Sequence, residues 1–491
     1  MTTGYLRNGK RNGGFIANPA QRPPVQPQTG ARRRANSTMK IAVIGAGIAG
    51  LSCAWLLERH AAGAHHVTLF EKNEILGGHT HTVDITVDGI SYPVDTGFLV
   101  FNDWTYPNLI AMFKHLHVEV APSDMSFGIK LLDAQGRGKL EWCGSDHIST
   151  IFAQPSNLLK PAFWGMLKDM LRFNRETTAL ADGKHDMPGT LGDYLNANDY
   201  GIAFRDWYLK PMAACIWSTP SQQIDDFPLV TFVNFCRNHG LISVNDRPQW
   251  RTVKGGARNY VAKLALEMSD IRLDAKLRSV TRHDTGVTIS SPAGTESFDH
   301  VVFACHTDQA LALLSDADEP ARALLSKIPY QPNTATLHTD QRLLPDRKRA
   351  WAAWNYTARH PDTTQARADA HGHSPVSLSY LINRLQPLPF TTPVIVTMNP
   401  IAPPDPAKVI KTIQYHHPVF LADSANAKRA LRRIQGQRRT WFAGAWTRYG
   451  FHEDGLMSGI AVAKALGATV PWSTNVPAAN DLASTYPGVD L

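Results

Sequence analysis

The most regular hydrophobic pattern in the chain lies near its beginning. A short apolar run at Lys40–Ile44 is followed at once by Gly45-Ala46-Gly47-Ile48-Ala49-Gly50, and from Leu51 to about Arg59 the apolar residues recur at helical spacing. A second β-rich run, Val67–Phe70, comes after that helix. This order predicts a strand, a tight turn, a helix and a second strand parallel to the first.

The same kind of pattern returns in two later stretches. Leu273–Ser290 has the alternation of several short strands, and His300–Cys305 is an apolar run that precedes a helical stretch at Asp308–Leu314. Near the end, Thr440–Gly444 predicts a strand ending in glycine, and Ile460–Leu466 predicts a helix of small residues. Buried strands that alternate with helices predict an α/β fold.

The charge of the chain is concentrated in its first residues. The chain has 491 residues and a net charge of +8, with 43% hydrophobic and 19% charged residues, which is ordinary for a globular protein of two or three structural units. Residues 1–38 contain seven basic residues and no acid, so the remainder is almost neutral. This polar stretch is predicted either to be a disordered basic tail or to precede a true start at Met39. We expect no nucleic-acid partner.

Cysteine and histidine usage excludes several kinds of site. The five cysteines are scattered and form no C-x-x-C pair, which favours reducing, cytoplasmic surroundings and argues against a zinc or iron–sulfur site. The histidines have no metal-ligand spacing supported by carboxylates, so no metal site is expected. No stretch approaches the roughly 18 uninterrupted apolar residues of a membrane-spanning helix.

The glycine-rich turn has the composition of a dinucleotide-binding loop. Gly45 permits the tight turn, Gly47 lets the backbone approach a pyrophosphate, and Gly50 lets helix and strand pack closely. Ala46, Ile48 and Ala49 complete the loop, and the helix N-terminus offers N–H groups to the phosphates. Glu71 ends the second strand, 21 residues after Gly50, where it can accept hydrogen bonds from ribose hydroxyls and would repel a 2′-phosphate. NADP is therefore disfavoured.

A second glycine motif distinguishes FAD from NAD. After Glu71 and Lys72 come Gly77-Gly78-His79-Thr80, which resembles the second motif of glutathione-reductase-type flavoproteins, in particular the flavin-containing amine oxidase superfamily. In that superfamily an arginine usually follows the Gly-Gly pair, and here His79 takes its place. Lys254-Gly255-Gly256-Ala257 is similar to the turn that re-enters the FAD domain. The resemblance implies FAD and places Val280 beside the adenine.

The closing motif of the superfamily is also recognisable. Thr440–Gly444 followed by Asp454–Gly459 resembles the segment in which a helix N-terminus faces the flavin pyrimidine. Gly444, Asp454, Leu456 and Met457 are therefore expected beside the cofactor. Ala445 stands where the family often has an acid, so Asp454 or a backbone group is expected to hold the ribityl chain. No cysteine lies clearly beside this motif, and we expect FAD to be bound non-covalently.

The resemblance implies a particular domain organisation. It predicts a discontinuous glutathione-reductase-type FAD-binding Rossmann domain with an inserted α+β substrate domain. Within the superfamily, Val94–Phe98 and Arg448–Gly455 look most similar to a bacterial group described only as predicted NAD/FAD-binding proteins. That group is similar to the oxidase-like domain fused to some plant cyclopropane fatty acid synthases. The expected FAD-binding segments are 39–105, 245–310 and 430–470, the substrate segments are 106–244 and 311–429, and residues 471–491 form a flexible tail.

Two features bear on the substrate. In amine-oxidizing members a tyrosine before the closing methionine helps to form an aromatic cage, and here Leu456 has that position, which favours a hydrocarbon over an amine. Tyr415 is a candidate for the second cage position. Apolar side chains between Leu158 and Phe173 are interleaved with Lys160, Lys168, Arg172 and Arg175, which fits either a helix lying on an anionic membrane or a core-packed helix. Peripheral contact with the inner face of the membrane is therefore one expectation.

The remaining candidates lie just before the closing helix. Trp446, Tyr449, His452 and Glu453 should lie near the flavin, and His452 is the plausible general base, unless its role is structural or no base is needed. We expect an FAD-dependent oxidoreductase that removes a hydride from a fatty acyl or other lipid chain in a desaturase-like reaction, with oxygen or a quinone as electron acceptor. The alternatives are an amine oxidase, a flavin-dependent lipid isomerase, and a non-catalytic FAD-binding component of a lipid-modifying complex.

Overall fold

A computed structural model describes most of the chain between the two predicted tails. The described residues are 38–63, 65–144, 148–182, 187–217, 221–242, 247–360, 376–419, 428–474 and 476. Apart from residues 38, 471–474 and 476, the predicted tails 1–38 and 471–491 lie outside them.

Strands make up much of the described structure. They are numbered in chain order as β1 Lys40–Ile44, β2 His66–Phe70, β3 Thr82–Val87, β4 Ile90–Asp95, β5 Phe101–Asn102, β6 Val120–Pro122, β7 Phe127–Leu132, β8 Gly138–Gly144, β9 Trp250–Val253, β10 Asp270–Arg272, β11 Ser279–Arg282, β12 Val287–Ser291, β13 Gly294–Phe298, β14 His300–Phe303, β15 Tyr330–His338, β16 Trp354–Arg359, β17 Val376–Leu381, β18 Ile395–Met398, β19 Val409–Pro418 and β20 Thr440–Phe442.

The α-helices that the structure describes alternate with these strands along much of the chain. They are α1 Ile48–Arg59, α2 Pro107–His115, α3 Ile148–Ile151, α4 Pro161–Asp182, α5 Leu191–Ala197, α6 Ile202–Phe204, α7 Lys210–Trp217, α8 Leu229–Asn238, α9 Arg258–Ala265, α10 Thr307–Leu313, α11 Glu319–Leu325, α12 Ile382–Leu385 and α13 His452–Ala465. The last helix begins at His452, eight residues before the predicted start at Ile460, so it includes the whole closing glycine motif. No helix in the described ranges combines the length and apolar content needed to cross a bilayer.

A parallel sheet of five strands carries the predicted glycine loop. Its order is β10-β2-β1-β14-β20, and every neighbouring pair is parallel. The strands are short and apolar, as expected for a sheet covered on both faces. Helices α1, α2, α9 and α13 contribute to the core on one side, and the small sheet β11-β12-β13 with α10 and α11 contributes on the other. The predicted α/β fold is confirmed.

A second core lies around a sheet of seven strands. The order of this sheet is β19-β15-β18-β17-β16-β7-β8, with β16 and β7 parallel and the other pairs antiparallel. Helices α4 to α8 pack into the same core through aromatic and aliphatic side chains. Strand β19 ends at Pro418, which lies beside the cavity described below. The mixed sheet therefore brings residues from far along the chain to the glycine loop.

Candidate functional site

The glycine loop connects β1 to α1 at the edge where the parallel strands end. Gly45 has a φ of +106°, a conformation that side-chain-bearing residues rarely adopt, and its N–H donates to the Phe70 carbonyl at 2.8 Å. A Cβ on Gly50 would lie 1.8 Å from the Gly45 carbonyl oxygen, so only glycine allows this approach. The loop is thus held tightly against the sheet.

The second glycine motif lies directly against the first. Gly77 forms an isolated parallel bridge with Gly47, and a Cβ on Gly78 would lie 3.2 Å from the Gly47 Cα. A Cβ on Gly47, in contrast, would have no neighbouring atom within 4 Å. The two motifs together form a backbone-lined cradle with open space beside Gly47, as an approaching diphosphate requires.

Glu71 occupies the position expected for the ribose acid and already has backbone partners. Its carboxylate accepts hydrogen bonds from the Ala46 N–H at 2.8 Å and from the Asn73 N–H at 2.9 Å. Lys72, at the cavity edge, is exposed. Val280 differs from the expectation, because it is fully buried on β11 within the core and does not line the cavity. Leu277, three residues earlier, lines it instead.

One cavity of about 660 Å³ runs along the loop and into the second core. At one end it is lined by Glu71, Ala275 and Leu277, and in the middle by the glycine motifs and the segment before α13. Its other end lies among residues of the second core. The lining there consists of Met125, Cys215, Ile216, Phe235, His239, Leu241, Trp250, Trp354, Tyr380, Tyr449 and Phe451.

The residues present fit FAD. The cavity lining provides an acid for a ribose, a backbone cradle for a diphosphate and a section bordered by Trp446 and His452. Two buried polar atoms of lining residues, His79 Nε2 and Trp446 Nε1, have no hydrogen-bond partner among the described residues. Buried donors without partners are uncommon and point to a bound group that completes them.

His452 is held in a polar cluster at the start of α13. Its Nε2 lies 2.8 Å from the Tyr260 hydroxyl, which in turn lies 2.6 Å from the Thr80 hydroxyl. The imidazole stacks on Phe98 at 3.8 Å between ring centroids. Burial lowers the pKa of His452 to about 3, so the ring is neutral at physiological pH. The structure brings together Thr80 and His452, which lie far apart in the sequence.

The two acids of the closing motif serve as helix caps. Asp454 accepts hydrogen bonds from the N–H groups of Tyr449 and Phe451 at the start of α13, and Glu453 accepts from those of Asn108 and Leu109 at the start of α2. Burial raises the pKa of both carboxyls, that of Glu453 to about 7. Neither acid lines the cavity.

Three other candidates lie behind the cavity wall. Leu456 lies within α13, since this helix begins at His452. Its side chain is fully buried in the core between α1 and α13. Met457 packs against that core, and its sulfur lies 3.7 Å from Arg448 Nη1. Tyr415 is buried, stacks on His79 at 5.1 Å and lies 2.8 Å from the Thr96 hydroxyl. None of the three is a lining residue, whereas Trp446, Tyr449 and His452 are.

Sequence reasoning missed several histidines that line the cavity. His306, His416 and His417 lie on its wall together with His79. They come from the end of β14 and the end of β19, and no sequence spacing links these segments to the Gly-Gly turn. The adjacent pair His416-His417 at the end of a strand is the one local signal that could have drawn attention to them.

Comparison with known proteins agrees with this geometry. Residues 48–388 match the family model described as "Flavin containing amine oxidoreductase". One relative is the Mycobacterium tuberculosis protein AofH, which is named as a flavin-containing monoamine oxidase. It is 23% identical over 300 residues, which are 58% of this chain and 60% of AofH. The chain therefore spans less than two thirds of this relative. A 15-cis-phytoene desaturase of Synechococcus elongatus is 38% identical over 81 residues, 16% of each chain.

Solved structures share the fold at low sequence identity. A CLA-producing fatty acid isomerase from P. acnes has a TM-score of 0.59 and 18% identity, covering 87% of this chain and 98% of the isomerase. Cyclohexylamine oxidase from Brevibacterium oxydans has a TM-score of 0.59 and 17% identity, covering 88% and 99%. At such identities the likeness concerns the fold alone.

Proposed function

Because the chain belongs to the flavin containing amine oxidoreductase family, we propose that it is an FAD-dependent oxidoreductase that acts on an apolar substrate, of which a fatty acyl or other lipid chain is the favoured class. In this proposal the substrate would give up a hydride to bound FAD and a proton to water, so that a C–C single bond of the substrate becomes a double bond. Oxygen or a quinone finally takes the electrons. FAD, when bound, supplies the two-electron acceptor that the side chains of the cavity lack.

The observation that carries the substrate class is the composition of the far end of the cavity. No described residue that lines this end is an acid, a lysine or an arginine. His239 is the one imidazole there, and burial lowers its pKa to about 4, so it is neutral. Moving a cation or a carboxylate into such surroundings without a partner is costly, whereas an alkyl chain gains from leaving water. An uncharged substrate fits this end best.

The chain's own residues then position the substrate and exclude water. Trp354 and Tyr380 meet edge to face at 4.9 Å and form one wall, and Phe451 and Phe235 stack at 5.0 Å on another. His452 binds a proton weakly because of its low pKa, so we assign it a hydrogen-bonding role through Tyr260 rather than the role of a general base. The remaining catalytic contribution of these residues would be to place a C–H bond of the substrate against bound FAD.

The relatives support more than one reaction. The phytoene desaturase, which resembles one segment of this chain in sequence, supports desaturation of a lipid, and the same fold occurs in a fatty acid isomerase. The resemblance to the oxidase-like domain of cyclopropane fatty acid synthases supports a lipid as well. A non-catalytic FAD-binding component of a lipid-modifying complex is a further alternative.

The second candidate is an amine oxidase. Trp250, Trp354, Tyr380 and Tyr449 give the far end enough aromatic faces to accept an amine by cation–π contact. The monoamine oxidase relative supports this candidate, and the same fold occurs in cyclohexylamine oxidase. Leu456 no longer argues against it, since that side chain lies in the core and would not face a substrate.

Anaerobic mixing distinguishes the candidates. The purified protein with FAD bound is mixed separately with phospholipid carrying unsaturated and saturated acyl chains, with free fatty acid, and with benzylamine. Loss of the visible flavin absorption with lipid and not with the amine is the expected result. Loss with the amine alone would favour the amine oxidase. If no compound bleaches the flavin, identification of altered double bonds in the lipid separates an isomerase from a non-catalytic protein.

A matched pair of variants tests the role of the uncharged wall. Ile216 lines the far end and is partly buried. We expect Ile216→Glu to slow flavin reduction by lipid at least about tenfold relative to Ile216→Gln, because the two side chains have similar size and differ in charge. Equal rates for the two variants would contradict an apolar substrate at this wall.

We also propose that α4 makes peripheral contact with an anionic membrane. One face of α4 packs into the core through Phe163, Met166 and Phe173. On the opposite face Trp164, Lys168, Leu171 and Arg175 are spaced by four, three and four residues and are all exposed, so apolar and basic side chains share one surface. Core packing therefore explains one face of α4, and the proposed membrane contact concerns the opposite face.

Vesicle binding tests this surface. Trp164→Ser combined with Leu171→Ser should weaken binding to phosphatidylglycerol vesicles about tenfold or more, and salt should weaken wild-type binding. Leu266→Ser is the matched control, because Leu266 is 85% exposed at the end of α9 and lies outside this surface. Unchanged binding by the double variant would contradict the assignment.

A further inference from the structure

Four histidines from three separate segments share the cavity wall near the glycine cradle. His79 directly follows the Gly77-Gly78 turn, where the family usually has an arginine. His306 follows β14, whose end lies against Gly45, and His416 and His417 lie at the end of β19. The four side chains line one cavity with the loop that would receive the diphosphate of FAD. We call them the histidine wall.

The imidazoles of the histidine wall are close to one another. The ring centroids of His79 and His417 are 5.1 Å apart, and those of His306 and His416 are 6.1 Å apart. His306 stacks on Tyr330 at 4.1 Å, and His417 Nδ1 lies 2.8 Å from Asn333 Nδ2. His79 Nε2 is buried without a hydrogen-bond partner in the described part of the chain. No group of three or more ligands within the described residues could hold a metal ion.

The groups around the wall supply little compensating negative charge. Glu71 is the one acid among the described lining residues, and its carboxylate is bound to Ala46 and Asn73. Asp308 on α10 is 64% exposed at its side chain and lies 4.0 Å from His306 Nδ1. The other titratable groups that face the wall are Lys72 and Lys276 after β2 and β10, Cys305 after β14, Tyr330 on β15, Tyr415 on β19 and His452 on α13. A ligand with two negative charges would therefore meet imidazoles that can take up protons, and few carboxylates would repel it.

We propose that the histidine wall replaces the family's arginine as the counter-charge of the FAD diphosphate and takes up protons when FAD binds. A fixed arginine would be charged at any physiological pH, whereas these imidazoles become charged only when the ligand makes protonation favourable. Burial and the neighbouring histidines lower the pKa of His79 to about 4 and that of His417 to about 3 in the free protein. The diphosphate raises these pKa values in the complex.

The direction of the pH dependence follows from this difference. The complex holds more protons than free protein and free FAD, so FAD binds more tightly as the pH falls. Uptake of one proton corresponds to about a tenfold change in Kd for each pH unit. We expect the Kd for FAD to rise at least about tenfold between pH 6 and pH 8, which corresponds to an average uptake of about half a proton over this range. The inference depends on FAD being the cofactor, as proposed above.

Calorimetry with the full-length chain, freed of flavin and checked for folding by circular dichroism, measures the uptake directly. FAD is titrated in two buffers of different ionisation enthalpy, and the difference in heat gives the number of protons bound. His79→Gln and His417→Gln should each reduce this number and weaken binding. His79→Arg should bind FAD more tightly than wild type at pH 8 and with fewer protons. His283→Gln is the control, because His283 is exposed and lies outside the cavity.

The possible outcomes separate this inference from the assigned cofactor. Proton uptake by wild type that falls in the His79 and His417 variants supports the histidine wall. Tight FAD binding with no proton uptake, or with uptake unchanged in all variants, overturns the inference and leaves the FAD-dependent function standing. Absence of FAD binding by the folded wild-type chain overturns both.

Discussion

Two glycines of the same loop should fail in different ways when each is replaced by alanine. Gly47 has ordinary extended backbone angles, and a Cβ at this position would meet no atom within 4 Å. Gly50 lies three residues further on, where a Cβ would lie 1.8 Å from the Gly45 carbonyl oxygen and 3.1 Å from the Ala304 Cβ. The first methyl group would occupy the space left for a ligand, and the second would occupy space already filled by the protein.

The expected magnitudes follow from these contacts. Gly47→Ala should change the free energy of unfolding of the flavin-free protein by less than about 1 kcal/mol, which is the cost of alanine at a helix N-cap. Its Kd for FAD should rise at least about 100-fold, or about 2.7 kcal/mol. Gly50→Ala should lower the free energy of unfolding by about 3 kcal/mol, because α1 or the loop must shift.

Urea denaturation of the flavin-free protein and calorimetric titration with FAD measure the two effects separately. Gly165→Ala is the control, because a Cβ at Gly165 on α4 would also meet no atom within 4 Å and Gly165 does not line the cavity. A Gly47→Ala protein that binds FAD like wild type would refute the diphosphate assignment. A Gly50→Ala protein as stable as wild type would refute the packing argument.

Two further predictions concern the closing helix. Burial raises the pKa of Glu453 to about 7 from 4.5, so the folded state binds this proton more tightly than the unfolded state and stability is lost as the pH rises between these values. Over that pH range, the unfolding free energy of Glu453→Gln minus that of wild type should therefore increase by about 3 kcal/mol, as measured by urea denaturation. A difference that does not change with pH would contradict the burial argument. Leu456→Tyr should lower stability by about 1–3 kcal/mol through overpacking and should bring no new flavin bleaching by benzylamine. A stable Leu456→Tyr protein that oxidises the amine would show that this position faces the substrate after all.

Much of the first βαβ unit could be predicted because its information is local. The strand Lys40–Ile44 was predicted with its observed bounds, and β2 begins one residue before the predicted Val67. Glycine tolerates positive φ and close backbone approach, and hydrophobic spacing reports the secondary structure directly. The start of α13 was predicted eight residues late, because its N-cap residue is Phe451, which is not a usual N-cap type, and its first turn is the polar run His452, Glu453 and Asp454.

What the sequence by itself determined is the loop, the α/β character of the chain and the family to which it belongs. The tertiary structure decided which side chains face the cavity: it placed Leu456 in the core, Leu277 rather than Val280 on the wall, and His306, His416 and His417 beside His79. Leu456 is buried where α13 packs on α1, Val280 where the three-stranded sheet packs with α10 and α11, and the histidines meet where β14 and β19 end near the Gly-Gly turn. Such packing arises from many contacts between distant segments, and no local spacing in the sequence records it.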